Sequence, residues 1–285
     1  MAPSPCRAVD RCRARGGRAG ARRLVCRRTP RPSPASAARP PRRTLHSTAL
    51  STLAHVLEHA GAFSAARLLH QRVLNFETRT LGPQHPNTLT SRNHLANALF
   101  GMGEPTEAIH LLRQTLEDRS RLLGTEHPDT LTSRHDLACA LDGMGRHAEA
   151  LALLRRNLPD RARVLGLMHP HTLASRLSLG LALDGVGEHA EAARLHRQTL
   201  DDRIRVLGIE HPDTLTSRHN LAGALARMGK QEEAIRLLRQ TLASRVRMLG
   251  PEHPHTVRTR DDLQTASAAW RAARRRQIWL RRSRR

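Results

Sequence analysis

Five His-Pro pairs, His85-Pro86, His127-Pro128, His169-Pro170, His211-Pro212 and His253-Pro254, recur every 42 residues. Imidazole suits zinc ligation and proton transfer near neutral pH, so a row of rings is the first place to look for chemistry. The ligands of one zinc ion must each lie about 2 Å from it, whereas equivalent positions in packed, repeated helices stand about 8–10 Å apart. The five rings cannot share an ion, and no metal site is expected. A catalytic group would stand out from its repeats, and these histidines do the opposite.

The tripeptide His-Pro-Asp occurs at His127 to Asp129 and again at His211 to Asp213, inside a segment repeated letter for letter from Glu126 to His135 and from Glu210 to His219. That tripeptide resembles the motif of J-domain co-chaperones, where it is a single loop element. Here its aspartate gives way to Asn87, His171 and His255 at the other recurrences, so the co-chaperone reading fails.

Other chemistries are equally thin. The nearest approach to a phosphate loop surrounds Lys230, but Ala224 stands where the first glycine belongs and Gln231 where a magnesium-binding hydroxyl belongs. Glycine turns at Gly101 to Gly103, Gly143 to Gly145 and Gly185 to Gly187 lack the third glycine and the preceding strand of a dinucleotide site. Cys6, Cys12, Cys26 and Cys139 show no CxxC spacing, which supports neither zinc nor a disulfide framework and suits a reducing compartment. No nucleophile, base and acid set stands apart from the repeats. The chain is expected to be non-enzymatic, with no catalytic residue and no cofactor.

The elements behind these residues follow from the period. Leu-Gly pairs at Leu81-Gly82, Leu123-Gly124, Leu165-Gly166, Leu207-Gly208 and Leu249-Gly250 keep step with the His-Pro pairs. Glycine closes one helix, and proline opens the next where its missing N–H costs nothing. The following Asn, Asp or His, with Thr88, Thr130, Thr172, Thr214 and Thr256, are placed to cap the free amides. Leu89, Leu95, Ala96 and Leu99 then gather on one face of a first helix, and Ala108, Leu111, Leu112, Leu116 and Leu123 on one face of a second. Arg119, Arg121, Arg203 and Arg205 fall in last turns, where cations favour the helix dipole. Pro159 sits where other second helices carry Glu117, Asp201 or Ala243, and a kink or early break is expected there.

Only three Phe, two Trp and no Tyr are present in 285 residues, so the core must be Leu, Ala, Val and Ile. Each unit offers roughly nine apolar side chains at about 2 kcal/mol apiece, against about 1 kcal/mol of backbone entropy for every residue ordered. One unit cannot fold alone, and neighbours must complete its core.

The pattern LGxxHPxTLxSRxxLAxAL, a glycine turn, then EAxxLLRQTL resembles the 42-residue tetratricopeptide repeats of the kinesin light chain type, which also abound in actinobacterial proteins. It extends over about residues 44–270. The resemblance implies an all-α, right-handed solenoid of stacked helix-turn-helix units. The family's small residue falls on Ala96, Ala138, Gly180 and Ala222, its second-helix alanine on Ala108, Ala150, Ala192 and Ala234, and its aromatic positions are filled by Leu99, Leu141, Leu183 and Leu225. The expected organisation is a disordered basic leader (1–43), a degenerate first repeat (44–82), four repeats (83–124, 125–166, 167–208, 209–250), a half-repeat in which Gln264 serves as a polar cap (251–270), and a basic tail (271–285).

What remains for function is surface. In such solenoids the first helices line a concave groove, which the resemblance implies binds a protein or peptide segment. Positions that vary between units while their neighbours stay fixed are free to read a ligand. One row is Asn93, His135, Leu177, His219 and Asp261, a second Asn97, Cys139, Leu181 and Gly223, and a third Phe100, Asp142, Asp184 and Ala226. The arginine row Arg92, Arg134, Arg176, Arg218 and Arg260 either faces the groove and prefers acidic partners or pairs with acids of the neighbouring helix. The chaperone-clamping arrangement is disfavoured because alanine or glycine stands four residues after each of the first four arginines.

Charge belongs to the ends. Residues 1–43 hold 13 Arg and one acid, and residues 271–285 hold 8 Arg and no acid, which leaves +3 of the formal +23 for the body. Nucleic acid or an anionic membrane surface is therefore a second partner class, reached through the termini, above all through the Trp270, Ile278, Trp279 and Leu280 segment. A solvated tail is the plainer alternative. No run of 18 apolar residues spans a membrane, and a cytoplasmic setting is expected.

Overall fold

The computed structural model describes residues 42–282, with side-chain surroundings from Ala49 to Arg275, His59 excepted. The expected leader up to residue 41, its disorder included, and the side chains of Ile278, Trp279 and Leu280 lie outside the described residues.

Eleven helices and no strand occupy the described residues: α1 (Arg42–His59), α2 (Phe63–Thr80), α3 (Pro86–Gly101), α4 (Pro105–Leu123), α5 (Pro128–Gly143), α6 (His147–Leu165), α7 (Pro170–Gly185), α8 (His189–Leu207), α9 (Pro212–Arg227), α10 (Gln231–Leu249) and α11 (Pro254–Arg282). Each helix packs on the next, and the backbone of each odd-numbered helix also approaches its counterpart two along, whereas the even-numbered helices touch one another through long exposed side chains, Arg113 with Glu149 and Arg197 with Glu233. The odd helices thus form the tight inner layer and the even helices the splayed outer one. The result is a right-handed α-solenoid.

The helix starts obey the His-Pro punctuation, with a correction to the capping atoms. In all five units the histidine ring is the cap: Nδ1 of His85 accepts from the Asn87 amide at 3.2 Å, and His127, His169, His211 and His253 do the same for Asp129, His171, Asp213 and His255. Proline at the first helical position has no N–H, so the next amide is the first free donor, and the extended histidine backbone turns the ring onto it. The threonines face inward instead, Thr88 Oγ1 donating to the Gly82 carbonyl at 2.8 Å. At the far end, Gly124 takes a φ of 92°, which a side chain would resist.

The stripes close into one core running from Leu95 to Ala266, in which Ala96, Ala108, Leu112, Ala138, Ala150 and Leu154 are fully buried. A smaller cluster of Ala54, Ala66 and Ala98 seats the degenerate first unit. Leu53, in phase with the buried Leu95, is 49% exposed, since among the described residues no earlier helix pair packs on it. At the other end Gln264 is exposed.

Of the kink or early break expected at Pro159, the early break does not occur. Pro159 neither shortens nor breaks α6, which keeps the 19 residues of α4, α8 and α10. Proline denies a bond to the Arg155 carbonyl, but Pro159 and Arg155 are both on the exposed face, where water satisfies that oxygen. Nor does the backbone mark a boundary at residue 270: α11 continues to Arg282, with Arg274 stacked 5.1 Å over the Trp270 ring and Trp270 Nε1 donating to Glu232 at 3.3 Å.

Candidate functional site

Two arginine ladders build the walls, and neither is free surface. Arg92 and Arg134 donate to Asp118 and Asp160 of the second helix in their own units at 2.7 and 2.9 Å, and Arg176 does so to Asp202. Each of the first two adds a bond to a carbonyl of the loop before its helix, Pro83 or Thr125. Ser244 stands where the fourth acid would be, so Arg218 keeps only the Ile209 carbonyl at 3.4 Å, and Arg260 has the Pro251 carbonyl at 2.9 Å. Arg134, Arg176 and Arg218 are buried. The row that was a candidate for the groove is a latch between paired helices.

The second ladder corrects the dipole reading of Arg119 and Arg203. Arg119, Arg161, Arg203 and Arg245 are each nearly inaccessible and cross into the following unit. Arg161 Nη1 donates to the His171 carbonyl at 2.9 Å and to Ser175 Oγ at 2.8 Å, while Nη2 reaches back to Leu131 O and Thr132 Oγ1, both at 3.2 Å. Arg119, Arg203 and Arg245 make the same forward pair of bonds to Asp129 and Ser133, Asp213 and Ser217, and His255 and Thr259. Burial lowers the pKa of all four guanidinium groups, yet a guanidinium is so strong a base that it stays charged. In the first unit Glu77 takes the place of the arginine and accepts from Ser91 at 2.6 Å.

Between these walls the variable rows divide. Asn93, His135, Leu177 and His219 sit in the seam between successive odd-numbered helices. Asn93 is buried and donates to Asp136; Ser175 Oγ lies 3.4 Å from His135 Nδ1; His219 is buried with Nε2 3.1 Å from Asp262. Burial holds these histidines neutral, His135 down to about 3 and His219 to about 4, with Arg161 and Arg245 adding repulsion. Burial raises the pKa of Asp136 against the opposing bond from Asn93.

The second row is the accessible one. Asn97, Cys139 and Leu181 are exposed, and Gly223 opens a concavity of about 380 Å³ whose rim includes Leu181, His219, Arg227, Arg258 and Asp262. Cys139 Sγ lies 3.6 Å from His135 Nε2 and 3.4 Å from Ser178 Oγ. A low His135 pKa opposes proton transfer from that thiol, so the pair is not poised as thiolate and imidazolium. Sequence reasoning missed His94, Asp136, Ser178, Asn220 and Asp262, of which Asn220 and Asp262 line the concavity and Ser178 meets Cys139, while Asp136 holds Asn93 and His94 packs on His55 and His70. They vary in phase as plainly as the chosen rows do.

In the third row Asp142 accepts from His147 at 2.7 Å, and Asp184 is a buried hub beside His189 at 3.0 Å, Arg227 at 3.3 Å and His196 at 3.6 Å. Burial opposes ionisation of Asp184, but His196, His189 and Arg227 outweigh it and hold its pKa below the usual value. At the first unit His55, His70 and His94 cluster with ring centroids 4.9–6.2 Å apart around Glu58. Among the described residues no group of three His, Cys, Asp or Glu could hold a metal ion, and no helix is long and apolar enough to cross a membrane.

Family models of the tetratricopeptide repeat match residues 45–120, 92–159, 172–213 and 214–255. The chain is similar to the crystal structure of a Podosopora anserina kinesin light chain with nearly identical TPR-like repeats, at 33% identity over 72% of this chain and 97% of that one, with a TM-score of 0.58. BtubC (BKLC) from P. vanneervenii shares the fold at 20% identity, 75% and 86% coverage and a TM-score of 0.59. A Rap protein complexed with Competence and Sporulation Factor shares it at 11% identity, 78% and 65% coverage and 0.61. No curated protein sequence matches the chain. With more than half of its length matched by these models, the chain belongs to the tetratricopeptide repeat family, in its kinesin light chain type, an architecture of protein-interaction scaffolds.

Proposed function

We propose that this protein is a non-enzymatic, cytoplasmic scaffold whose concave face binds a protein or peptide segment. One observation carries the reading. Asn97, Cys139, Leu181 and Gly223 occupy one row on the inner layer, accessible and different in every unit, while Ala96, Ala138, Gly180 and Ala222 beside them stay small and buried. A solenoid that needed this row only for packing would repeat it. Rap, which shares the fold, is complexed with a factor of its own, in keeping with a groove that takes a ligand. The paired Arg92, Arg134 and Arg176 supply no preference for acidic partners.

The test is selection of peptides from a display library on the full chain, repeated with Leu181→Glu and Asn97→Leu. Selected peptides should lose at least tenfold in affinity for one or both variants. Peptides that bind both variants as tightly as the wild type would place binding elsewhere.

A second reading has its own support: α11 continues past Trp270 with Arg271, Arg274 and Arg275 exposed, a basic helix suited to phosphates of RNA or an anionic bilayer. Deleting residues 271–285 and measuring RNA and liposome retention at two salt concentrations checks it; unchanged retention removes it.

A further inference from the structure

In three units the loop before the first helix carries an acid, and in two of them that acid holds the arginine in the last turn of the second helix. Glu126 pairs with Arg163 at 2.5 Å, and Glu210 with Arg247. The unit at 167–208 departs from this rule. Met168 stands in the acid's place beside Leu167, where the preceding unit has Thr125, and Arg205 is left with only Asp202, 3.8 Å away and already bonded to Arg176. One turn earlier Asp201 is exposed and has no ionic partner among the described residues.

Leu167 and Met168 lie a few residues from Val164 at the end of α6, and Val206 and Ile209 hold the corresponding place one unit along. All five are between 39% and 62% exposed. Equivalent positions in neighbouring units are about 8–10 Å apart, so the five form one aliphatic patch on the loop edge, on the order of 400 Å². An apolar centre flanked by one weakly paired cation, Arg205, and one anion without an ionic partner, Asp201, of the same helix is self-complementary: turned about a two-fold axis, Arg205 meets Asp201 of the other copy and Asp201 meets its Arg205.

We propose that this edge is a self-association surface on which a second copy of the chain docks through Val164, Leu167, Met168, Val206 and Ile209, with reciprocal Arg205 and Asp201 pairs. The interface lies on the loops, away from the groove rows, and would join two grooves in one assembly.

Sedimentation velocity on the full chain, from about 1 to about 100 µM, tests it. The wild-type mass should rise toward twice 31.8 kDa across this range. The double variant L167T/M168E installs the Thr-Glu pair that the preceding unit already carries, so its fold is kept, and it should weaken association at least tenfold. Asp201→Arg alone should weaken it, and D201R/R205D should restore it by reversing both reciprocal pairs. A wild-type chain that stays monomeric, an L167T/M168E variant that associates as the wild type does, or a charge swap that fails to restore would each overturn the proposal.

Discussion

Gly180 lies against the ring of His196: a β-carbon at this glycine would stand 2.5 Å from His196 Cε1. The ring is fully buried and cannot swing aside. Elsewhere the same two positions hold alanine with leucine, as Ala96 with Leu112, Ala138 with Leu154 and Ala222 with Leu238, so the unit at 167–208 has exchanged both partners together. In the first unit His70 stands with Ala54, and there its Nε2 is bonded to Glu58 at 3.1 Å.

Gly180→Ala should therefore destabilise the fold by about 1–3 kcal/mol through overpacking. Adding His196→Leu recreates the arrangement of the neighbouring units and should recover most of the loss, a coupling of about 1–2 kcal/mol in a urea-denaturation cycle. Additive effects would show that the two side chains do not compete for one space.

The buried arginine ladder should dominate stability over its exposed neighbours. Arg161→Met removes four bonds to atoms of the neighbouring first helices, which lose a charged donor, for a loss of about 3 kcal/mol. Arg163→Met, two residues on, removes a solvent-exposed pair with Glu126 and should leave stability nearly unchanged. Equal losses would contradict the burial argument.

Acid should loosen the seam. His94, His135 and His219 titrate near 4, 3 and 4 in the fold, below their ordinary 6.5, because burial penalises the charged rings. The unfolded chain takes up protons first, so their contribution is complete above pH 6.5 and drains away as pH falls toward 4. Asp136, whose pKa burial raises, acts in the opposite sense lower in the range. Melting temperature should drop between about pH 7.5 and about pH 5, and His135→Asn, which installs the residue of the preceding unit, should flatten the slope.

Pro159 is tolerated, not helpful. Pro159→Glu restores an N–H donor for the Arg155 carbonyl on an exposed face and should stabilise by about 1 kcal/mol or more, seen as a rise in melting temperature. A fall would mean that the proline sets a bend which the packing of α6 needs.

The residues that recur were the most legible. His-Pro punctuation, the Leu and Ala stripes and the 42-residue register each follow from local rules that the packing then agrees with. The arginine ladders recur just as faithfully, yet a repeated charge resembles solvated surface until its partner is found. The clue lay in phase: Ser133, Ser175, Ser217 and Thr259 each follow a ladder arginine by 14 residues. The groove rows were harder because residues 93 and 97 differ by only about 40° around a helix. That turn is enough to put Asn93 inside the seam and leave Asn97 in the open. Leu167 and Met168 carried no local signal at all; they matter through what Arg205 lacks.

Every bond of the arginine ladder reaches no farther than 14 residues ahead or 30 behind, within the span of a single period. Excising the 84 residues from Glu126 to Ile209 would bring Arg119 before Asp213 and Ser217, the same partners it now finds in Asp129 and Ser133. Recombination between the coding segments for the two identical stretches would thus lengthen or shorten the protein by whole helix pairs, two at a time, without orphaning one interior charge.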